Sequence, residues 1–322
     1  MSIIEVTGIS KDGPLSPILK EISFTQRKSE KIAIVGETGS GKSTLLKIIA
    51  GLIQPDHGEV LFEGKRVEGP ADKLVPGHDA IAYLSQHFEL PQSLRVEQIL
   101  EYANVLTEDE ALIVYEICEI DHLLKRRTDQ LSGGEAQRIA IARLLIGKPK
   151  LLLLDEPFSN LDMAHKNTLK NIVDAIGRSL DVTCMMISHD PEDTLPWADK
   201  ILVMRSGQII QKGTPEKIYK KPIDEYTAGL FGEYNILDAS LTAMFGKAQG
   251  IDIRKTIIVR PENIKLTAKK TKAVKGNVTD INFFGSYYSI EIVVNGAAVK
   301  IRSASLEHVV GDDVFVYLDL GA

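Results

Sequence analysis

Cysteine is scarce in this chain: two in 322 residues, Cys118 and Cys184, far apart and in no metal-like spacing. Both sit among apolar neighbours and read as small core residues. The count excludes a disulfide framework and suits a reducing compartment. Long apolar runs are missing as well. Nothing approaches the roughly 18 consecutive apolar residues of a membrane-spanning helix, so the chain is not expected to cross a membrane by itself. The stretch MSIIEVTGIS has neither a basic leader nor a long apolar core, and no secretory signal is expected. Excess positive charge is absent: 38 Lys and Arg against 44 Asp and Glu give a net charge of −6. That removes any general pull toward nucleic acid or anionic lipid. The nearest thing to a basic run is Lys269, Lys270, Lys272 and Lys275, which reads as a solvated strand edge or turn. No repeat or low-complexity segment occurs.

What remains is ordinary globular material, 44% apolar and 25% charged, with a length comfortable for two domains. Short apolar or alternating pieces, IIEVTGIS, ILKEISFTQ, KIAIVG and GEVLFEG, read as strands. Residues 64–79, rich in Gly, Pro and charge, read as a loop, and AIAYLSQ resumes a strand. From about Val96 to Arg127 the apolar spacing turns helical, with Val96, Ile99, Leu100 and Ala103, then Leu112, Ile113 and Ile117 on the apolar face. A second helix follows the turn LSGG. KLLLLDEP, VTCMMISHD and KILVMRSGQII are compact apolar runs, the mark of strands buried in a parallel sheet. Strands alternating with helices predict an α/β fold with helices on both faces of that sheet. After about Tyr234 the composition becomes β-rich, with Asn295-Gly296 a strong two-residue hairpin signal, so residues 235–322 read as a small separate β domain.

Two stretches carry phosphate chemistry. Gly36 to Ser43 fits G-x-x-x-x-G-K-[ST] between the strand KIAIV and the helix STLLKIIAGL, the context this motif requires. The glycines let the backbone fold round phosphate, and the helix start offers N–H groups and a positive dipole end. Lys42 would reach the β and γ phosphates, and Ser43 would hold Mg²⁺. Leu131 to Arg143, LSGGEAQRIAIAR, is a second glycine-rich turn opening a helix, yet it has no lysine. By itself this turn is an ordinary helix cap at Ser132.

Three further residues end strands of the same sheet, where ligands of such sheets gather. Asp155 and Glu156 end LLLLDE; a buried strand delivering an acid to a phosphate site suits a second Mg²⁺ contact, and Glu156 suits a general base for the attacking water. His189 ends MMIS and Gln86 ends AIAYLSQ; alone, either would mean little. Trp197 reads as packing. His57, His78, His87, His122, His165 and His308 form no ligand set in the sequence.

Taken in order, GETGSGKST, Gln86, LSGGEAQR, LLLLDEP, SNLD and ISHD resemble the ATP-binding-cassette ATPases, over roughly residues 3 to 232. The resemblance implies a P-loop NTPase over residues 1–232: a RecA-like core, an antiparallel β subdomain and a helical subdomain at about 88–146. It implies that Gly36, Glu37, Thr38, Gly39, Ser40, Gly41, Lys42, Ser43 and Thr44 hold ATP phosphates. It places Mg²⁺ on Ser43, Gln86 and Asp155, and makes Glu156 the catalytic carboxylate, assisted by Gln86 and the switch histidine His189. It assigns Ser159 to Asp162 to the D-loop. Cassettes of this family pair head to tail, so that Ser132, Gly133 and Gly134, with Asp162, close on nucleotide held by the partner's Lys42 loop. That answers why a second phosphate-grade turn lacks a lysine.

The tail GQIIQKGTPEKIYKKPIDEYTAGLFGEYN, then VRPENIKL and VTDINFFGSYYSIEIVVNG, resembles the ATPase subunits of bacterial solute importers with a small all-β OB/TOBE-like domain, here 233–322. Such subunits imply a homodimer or paralogous pair, a separate permease docking near Gln86 to Tyr102, and a solute-binding protein. They imply a cytoplasmic place, peripheral on the inner face of the cell membrane. No nucleic-acid partner is expected. The family has an aromatic residue after the first strand for adenine, and SKDGPLSPIL has none; Glu135 stands where Gln is commoner. The alternative is a soluble cassette of DNA repair or translation. Repair members insert long coiled coils before LSGG and translation members carry two cassettes, and neither feature is present. A non-enzymatic regulatory module would be expected to lack Lys42 or Glu156.

Overall fold

The computed structural model describes residues 2–86, 90–159, 161–249 and 255–319. They divide into two compact units, Met1–Ile218 and Tyr219–Ala322.

In the first unit, alternating side chains make β1 (Ser2–Asp12) and β2 (Pro17–Arg27) a long antiparallel pair, each burying one face. The turn between them closes with Gly13 N–H on Ser16 C=O. Strand β3 (Ile32–Val35) is buried throughout and leads into α1 (Lys42–Ile49). Strands β4 (His57–Phe62) and β5 (Lys65–Arg66) extend the first sheet in the order β2-β1-β4-β5. Strand β6 (Ile81–Leu84) returns to the β3 layer.

The helical reading of 96–127 splits in two: α2 (Val96–Ala103) and α3 (Glu108–Ile117). The break falls where Thr107 caps the second helix, its hydroxyl accepting the Glu110 N–H while the Glu110 carboxylate accepts the Thr107 N–H. The break resets the helical face. Ala111, Val114 and Cys118 point inward, whereas Leu112 and Ile113, read from sequence as core positions, are half exposed.

Helix α4 (Gly133–Leu145) then leads to β7 (Leu151–Asp155), buried at all five positions. Helix α5 (Met163–Ser179), β8 (Thr183–Ile187), the short α6 (Pro191–Thr194), β9 (Lys200–Arg205) and β10 (Gln208–Gly213) complete the layer. Its order is β10-β9-β3-β8-β7-β6. Five strands run parallel, and β10 is an antiparallel edge on β9. Parallel strands covered on both faces explain why LLLL and TCMMI read as unbroken apolar runs rather than alternating ones. One core lies between the two sheets around α1, and a second packs α2 to α5 against the other face. Cys118 and Cys184 are buried and free, and Trp197 packs against the second core. Among the described residues no helix is long and apolar enough to cross a membrane.

Helix α7 (Pro215–Lys220) runs across the division between the units. The second unit begins at Tyr219 and continues through α8 (Glu225–Leu230), upstream of the composition shift after about Tyr234. The cause is Arg260, 3% exposed: its guanidinium donates to the carbonyls of Tyr219, Ala228, Gly232 and Glu233 at 3.0–3.1 Å, fastening 219–233 to the β-rich part. Strands β11 (Asn235–Leu237) and β12 (Ile257–Val259) pair. Between them lies α9 (Ala239–Gln249), a helix that the β-rich reading of 235–322 did not include. Asp238 starts it by accepting the N–H groups of Ser240 and Leu241, and Leu241 and Phe245 anchor it in the local core. The remaining strands, β13 (Ile264–Thr267), β14 (Val274–Phe283), β15 (Tyr288–Val294), β16 (Ala297–Ser303) and β17 (Asp313–Leu318), form an antiparallel sheet ordered β13-β17-β14-β15-β16. Asn295 and Gly296, with φ of 50° and 84°, make the tight turn between β15 and β16. Within the lysine-rich segment, Lys275 pairs with Asp313 at 2.7 Å.

Candidate functional site

The ends of β3, β8, β7 and β6, neighbours in the sheet, carry the sequence-predicted residues to one edge. Beyond Val35 the chain folds back on itself, with Ser40 N–H bonded to Glu37 C=O, and starts α1 at Gly41. Gly41 has φ 96°, and a Cβ there would lie 2.7 Å from Ile18 C=O, so only glycine fits. No side chain caps this helix, which leaves its first N–H groups facing the loop interior. Lys42 is 6% exposed and donates to Gly36 C=O and Glu37 C=O at 2.7 Å each. Burial pushes its ammonium below the usual lysine range, while Glu156, Asp155 and Glu37 pull the other way. A buried lysine parked on backbone carbonyls, among uncapped N–H groups, is a donor set that fits a polyphosphate.

Opposite, Ser43 donates its hydroxyl to Asp155 Oδ1 at 3.0 Å. Asp155 is 3% exposed, and its other oxygen accepts the Tyr83 hydroxyl at 2.8 Å. Tyr83, on β6, was not singled out in the sequence; its only signal was a hydroxyl-bearing aromatic on a strand three residues before Gln86. Burial and the Asp155 bond raise its phenol above the usual tyrosine range, so it remains a donor that fixes the carboxylate. One hydroxyl and one carboxylate suit Mg²⁺, which is usually held by one or two carboxylates together with phosphate oxygens. Among the described residues no group of three or more His, Cys, Asp or Glu side chains is arranged to hold a metal alone.

Glu156 sits at the centre. Its Oε2 accepts Gln86 Nε2 at 3.4 Å and lies 3.4 Å from His189 Nδ1. Its backbone has φ 50°, a left-handed conformation unusual for a glutamate. Three bonds hold it there: its N–H on Ile187 C=O, and its C=O accepting both the N–H and the hydroxyl of Ser159. Strain held at the end of a strand aims the side chain along the edge of the sheet.

The signature turn forms a second group. Ser132 caps α4, accepting the Glu135 N–H at 3.3 Å, and Glu135 accepts the Ser132 N–H at 2.8 Å. This reciprocal cap explains the glutamate at 135: a carboxylate accepts that N–H outright, and it also pairs with Arg126 at 2.9 Å. Gly133 faces open space, whereas a Cβ on Gly134 would meet His165 Cδ2 at 2.7 Å. His165 Nδ1 lies 2.8 Å from Asp162 Oδ2, and Asp162 caps α5 by accepting the His165 N–H. So His165, read from sequence as an ordinary surface or core histidine, joins the signature turn to the Asp162 loop. Buried Gln137 of α4 donates to Pro157 C=O, just after Glu156. Asn160, and His87 with the start of HFELPQSLRVEQIL, lie outside the described residues.

The family profile described as ABC transporter matches residues 19–159, and one described as TOBE domain matches 257–322. The chain is 32% identical over 314 residues to the spermidine/putrescine import ATP-binding protein PotA of Clostridioides difficile (strain 630), covering 92% of this chain and 89% of that one. It is 34% identical over 319 residues to the Fe(3+) ions import ATP-binding protein FbpC 1 of Rhodococcus jostii (strain RHA1), covering 91% and 88%. In fold it matches the ADP conformation of MJ1267, an ATP-binding cassette of an ABC transporter, with a TM-score of 0.61, 24% identity and coverage of 72% of this chain and 98% of that one. The chain belongs to the ABC transporter family, as an ATP-hydrolysing import subunit that carries a TOBE domain.

Proposed function

We propose that this chain works as one half of a head-to-tail pair, with itself or a paralogue, and that each ATP lies between the Gly36–Thr44 loop of one chain and the Ser132–Gly134 turn of the other. The observation that carries this reading is the geometry around Glu156: Gln86 and His189 both address its Oε2 at 3.4 Å, beside the Ser43–Asp155 pair. When bound, Mg²⁺·ATP would supply the electrophilic phosphorus and a cation that offsets developing charge. Lys42 would turn its ammonium from the carbonyls of Gly36 and Glu37 to phosphate oxygens. Ser43 and Asp155 would hold the metal, with Tyr83 fixing the orientation of Asp155. Glu156 accepts the proton of the attacking water; Gln86 and His189 hold Glu156 in place and flank the reacting phosphate. Ser132, Gly133 and Gly134, with Asp162, complete the site from the partner, so closure reports that both chains are loaded.

Closure is coupled to transport through a permease. A cavity of about 900 Å³ lined by Leu90, Pro91, Gln92, Thr128, Asp129, Ala136 and Arg143 adjoins the Gln86–Tyr102 segment and the helix that starts at the signature turn. A permease helix seated there would feel that helix move. The relatives import polyamine and ferric iron with the same layout, so the solute is chosen by the permease and a solute-binding protein. The subunit then sits on the inner face of the membrane through the permease. By family pattern the cassette spans 1–232, with 88–146 as its helical part, and 233–322 form the appended domain; residues 219–232 belong to the second compact unit in space.

Glu156→Gln tests the assignment, because it keeps the shape and removes the base. ATP turnover is expected to fall by roughly 10²–10⁴-fold, and gel filtration with saturating ATP should show a stable dimer. A variant that stays monomeric and hydrolyses normally would overturn the reading.

A further inference from the structure

Directly behind His189 lies a charge cluster that the mechanism above does not use. Asp193, on α6, is 4% exposed, and its Oδ1 lies 2.8 Å from both Lys166 Nζ and Lys170 Nζ of α5. Its Oδ2 accepts the hydroxyl of Ser188 at 3.0 Å. Lys166, its side chain 14% exposed, also pairs with Asp190, and Asp190 in turn donates its N–H to the Ser188 hydroxyl at 3.1 Å. The two residues that flank His189 in sequence are therefore both tied to one lysine: Asp190 directly, Ser188 through Asp193. Lys170 adds a bond to Glu192 C=O at 3.1 Å.

A buried ionic cluster is weak evidence of stability, since desolvation opposes the attraction, and an apolar replacement of equal volume is often as stable. What such a cluster supplies is direction. His189 itself is two-thirds exposed and among the described residues makes one charged contact, with Glu156. Its own surroundings do not fix it, and its backbone neighbours must. Burial pulls the Lys166 ammonium down, but its bonds to Asp190 and Asp193 outweigh that and raise it above the usual lysine range, so the clamp stays charged at neutral pH. Lys166 also lies in the first turn of α5, its N–H bonded to Asp162 C=O, next to the His165 that packs against Gly134.

We infer that Lys166 is the positioning residue for His189, holding the Ser188–Asp190 backbone through its bonds to Asp190 and Asp193 so that the imidazole faces Glu156. The inference rests on the catalytic reading of Glu156 and His189 given above.

The test is steady-state ATP turnover by the full chain carrying Lys166→Met, Lys166→Arg, and Lys166→Met combined with His189→Ala. Lys166→Met is expected to lower kcat by on the order of tenfold to a hundredfold, the range for groups that orient a site from behind, with KM for ATP moved by no more than about twofold. Lys166→Arg should recover most of the loss, because a guanidinium can reach both carboxylates. In the His189→Ala background Lys166→Met should have almost no further effect, since nothing is left to position. If Lys166→Met does not fold, Lys166→Met with Asp193→Asn removes both charges and takes its place. An unchanged kcat in a folded variant, an equal fall in the His189→Ala background, or no recovery by arginine would overturn the inference. Failure of the catalytic reading itself shows differently: His189→Ala and Glu156→Gln would then leave turnover intact in the parent chain.

Discussion

Two helices of this chain start at glycine-rich turns, and the starts are built on opposite principles. Helix α1 begins at Gly41 in a left-handed conformation with no side-chain cap. Its lysine is buried on the chain's own carbonyls, contacts that an anion can take over. Helix α4 begins at Ser132, capped reciprocally with Glu135, its Gly133 open to solvent and its Gly134 against His165. The first, the cradle, is a helix start with no side-chain cap and a buried cation beside it. The second is complete at its own cap and presents a bare, small surface. In the pair proposed above, nucleotide binds at the first start and the second serves as a cover for something brought to it.

The strongest way to break this comparison is Gly134→Val. The new side chain meets the His165 ring, and the cover should fail while the cradle is untouched. Turnover is expected to fall by about 10²-fold, the size of losing one preorganised donor, with nucleotide affinity of the isolated chain unchanged in a fluorescence titration. A parallel loss of affinity would show that the two starts are not separable. Next, Ser132→Ala should cost about 1 kcal/mol of local helix stability, read as faster amide exchange at the start of α4 and none at α1.

Acid should loosen the same cap. The Ser132 N–H, then the Ser132 hydroxyl and Arg126, hold the Glu135 carboxyl below its ordinary 4.5. A carboxyl lowered in the folded state contributes stability above its unfolded value and loses it as pH falls through the folded one. Protection of the α4 amides, relative to their intrinsic exchange rates, should thus fall as pH drops below the ordinary carboxyl value, and α1, which has no such carboxylate cap, should lag behind. The smallest effect belongs to Gly133→Ala. A methyl there meets nothing, and alanine favours helix by up to about 1 kcal/mol, so exchange at α4 should slow slightly. Turnover should nevertheless drop, because in the proposed pair the open face is where the partner's nucleotide comes. A gain in both would remove Gly133 from the cover.

Much of this was legible in the chain. Gly36 to Ser43 announced itself because a phosphate loop is local: the strand, the turn and the helix lie within about 20 consecutive residues. The four leucines before Asp155 marked a doubly covered strand, and Asn295-Gly296 marked its turn by backbone geometry alone. The helical face at 111–118 was misread at Leu112 and Ile113, because a cap at Thr107 restarted the periodicity. Helix α9 was missed: its apolar anchors Leu241 and Phe245 are few, and it lies among strand-like neighbours. Tyr83, Gln137, His165 and Lys166 were invisible for another reason. Each acts on a residue 20 or more positions away, or across a turn into another element, and single-sequence patterns do not record such meetings.

The left-handed backbone of Glu156 has a practical corollary. Glycine adopts φ 50° freely, so Glu156→Gly should relieve about 1 kcal/mol of local strain while erasing the proposed proton acceptor. Any campaign that selects variants of this subunit for heat resistance alone will be drawn toward that substitution and away from a working motor.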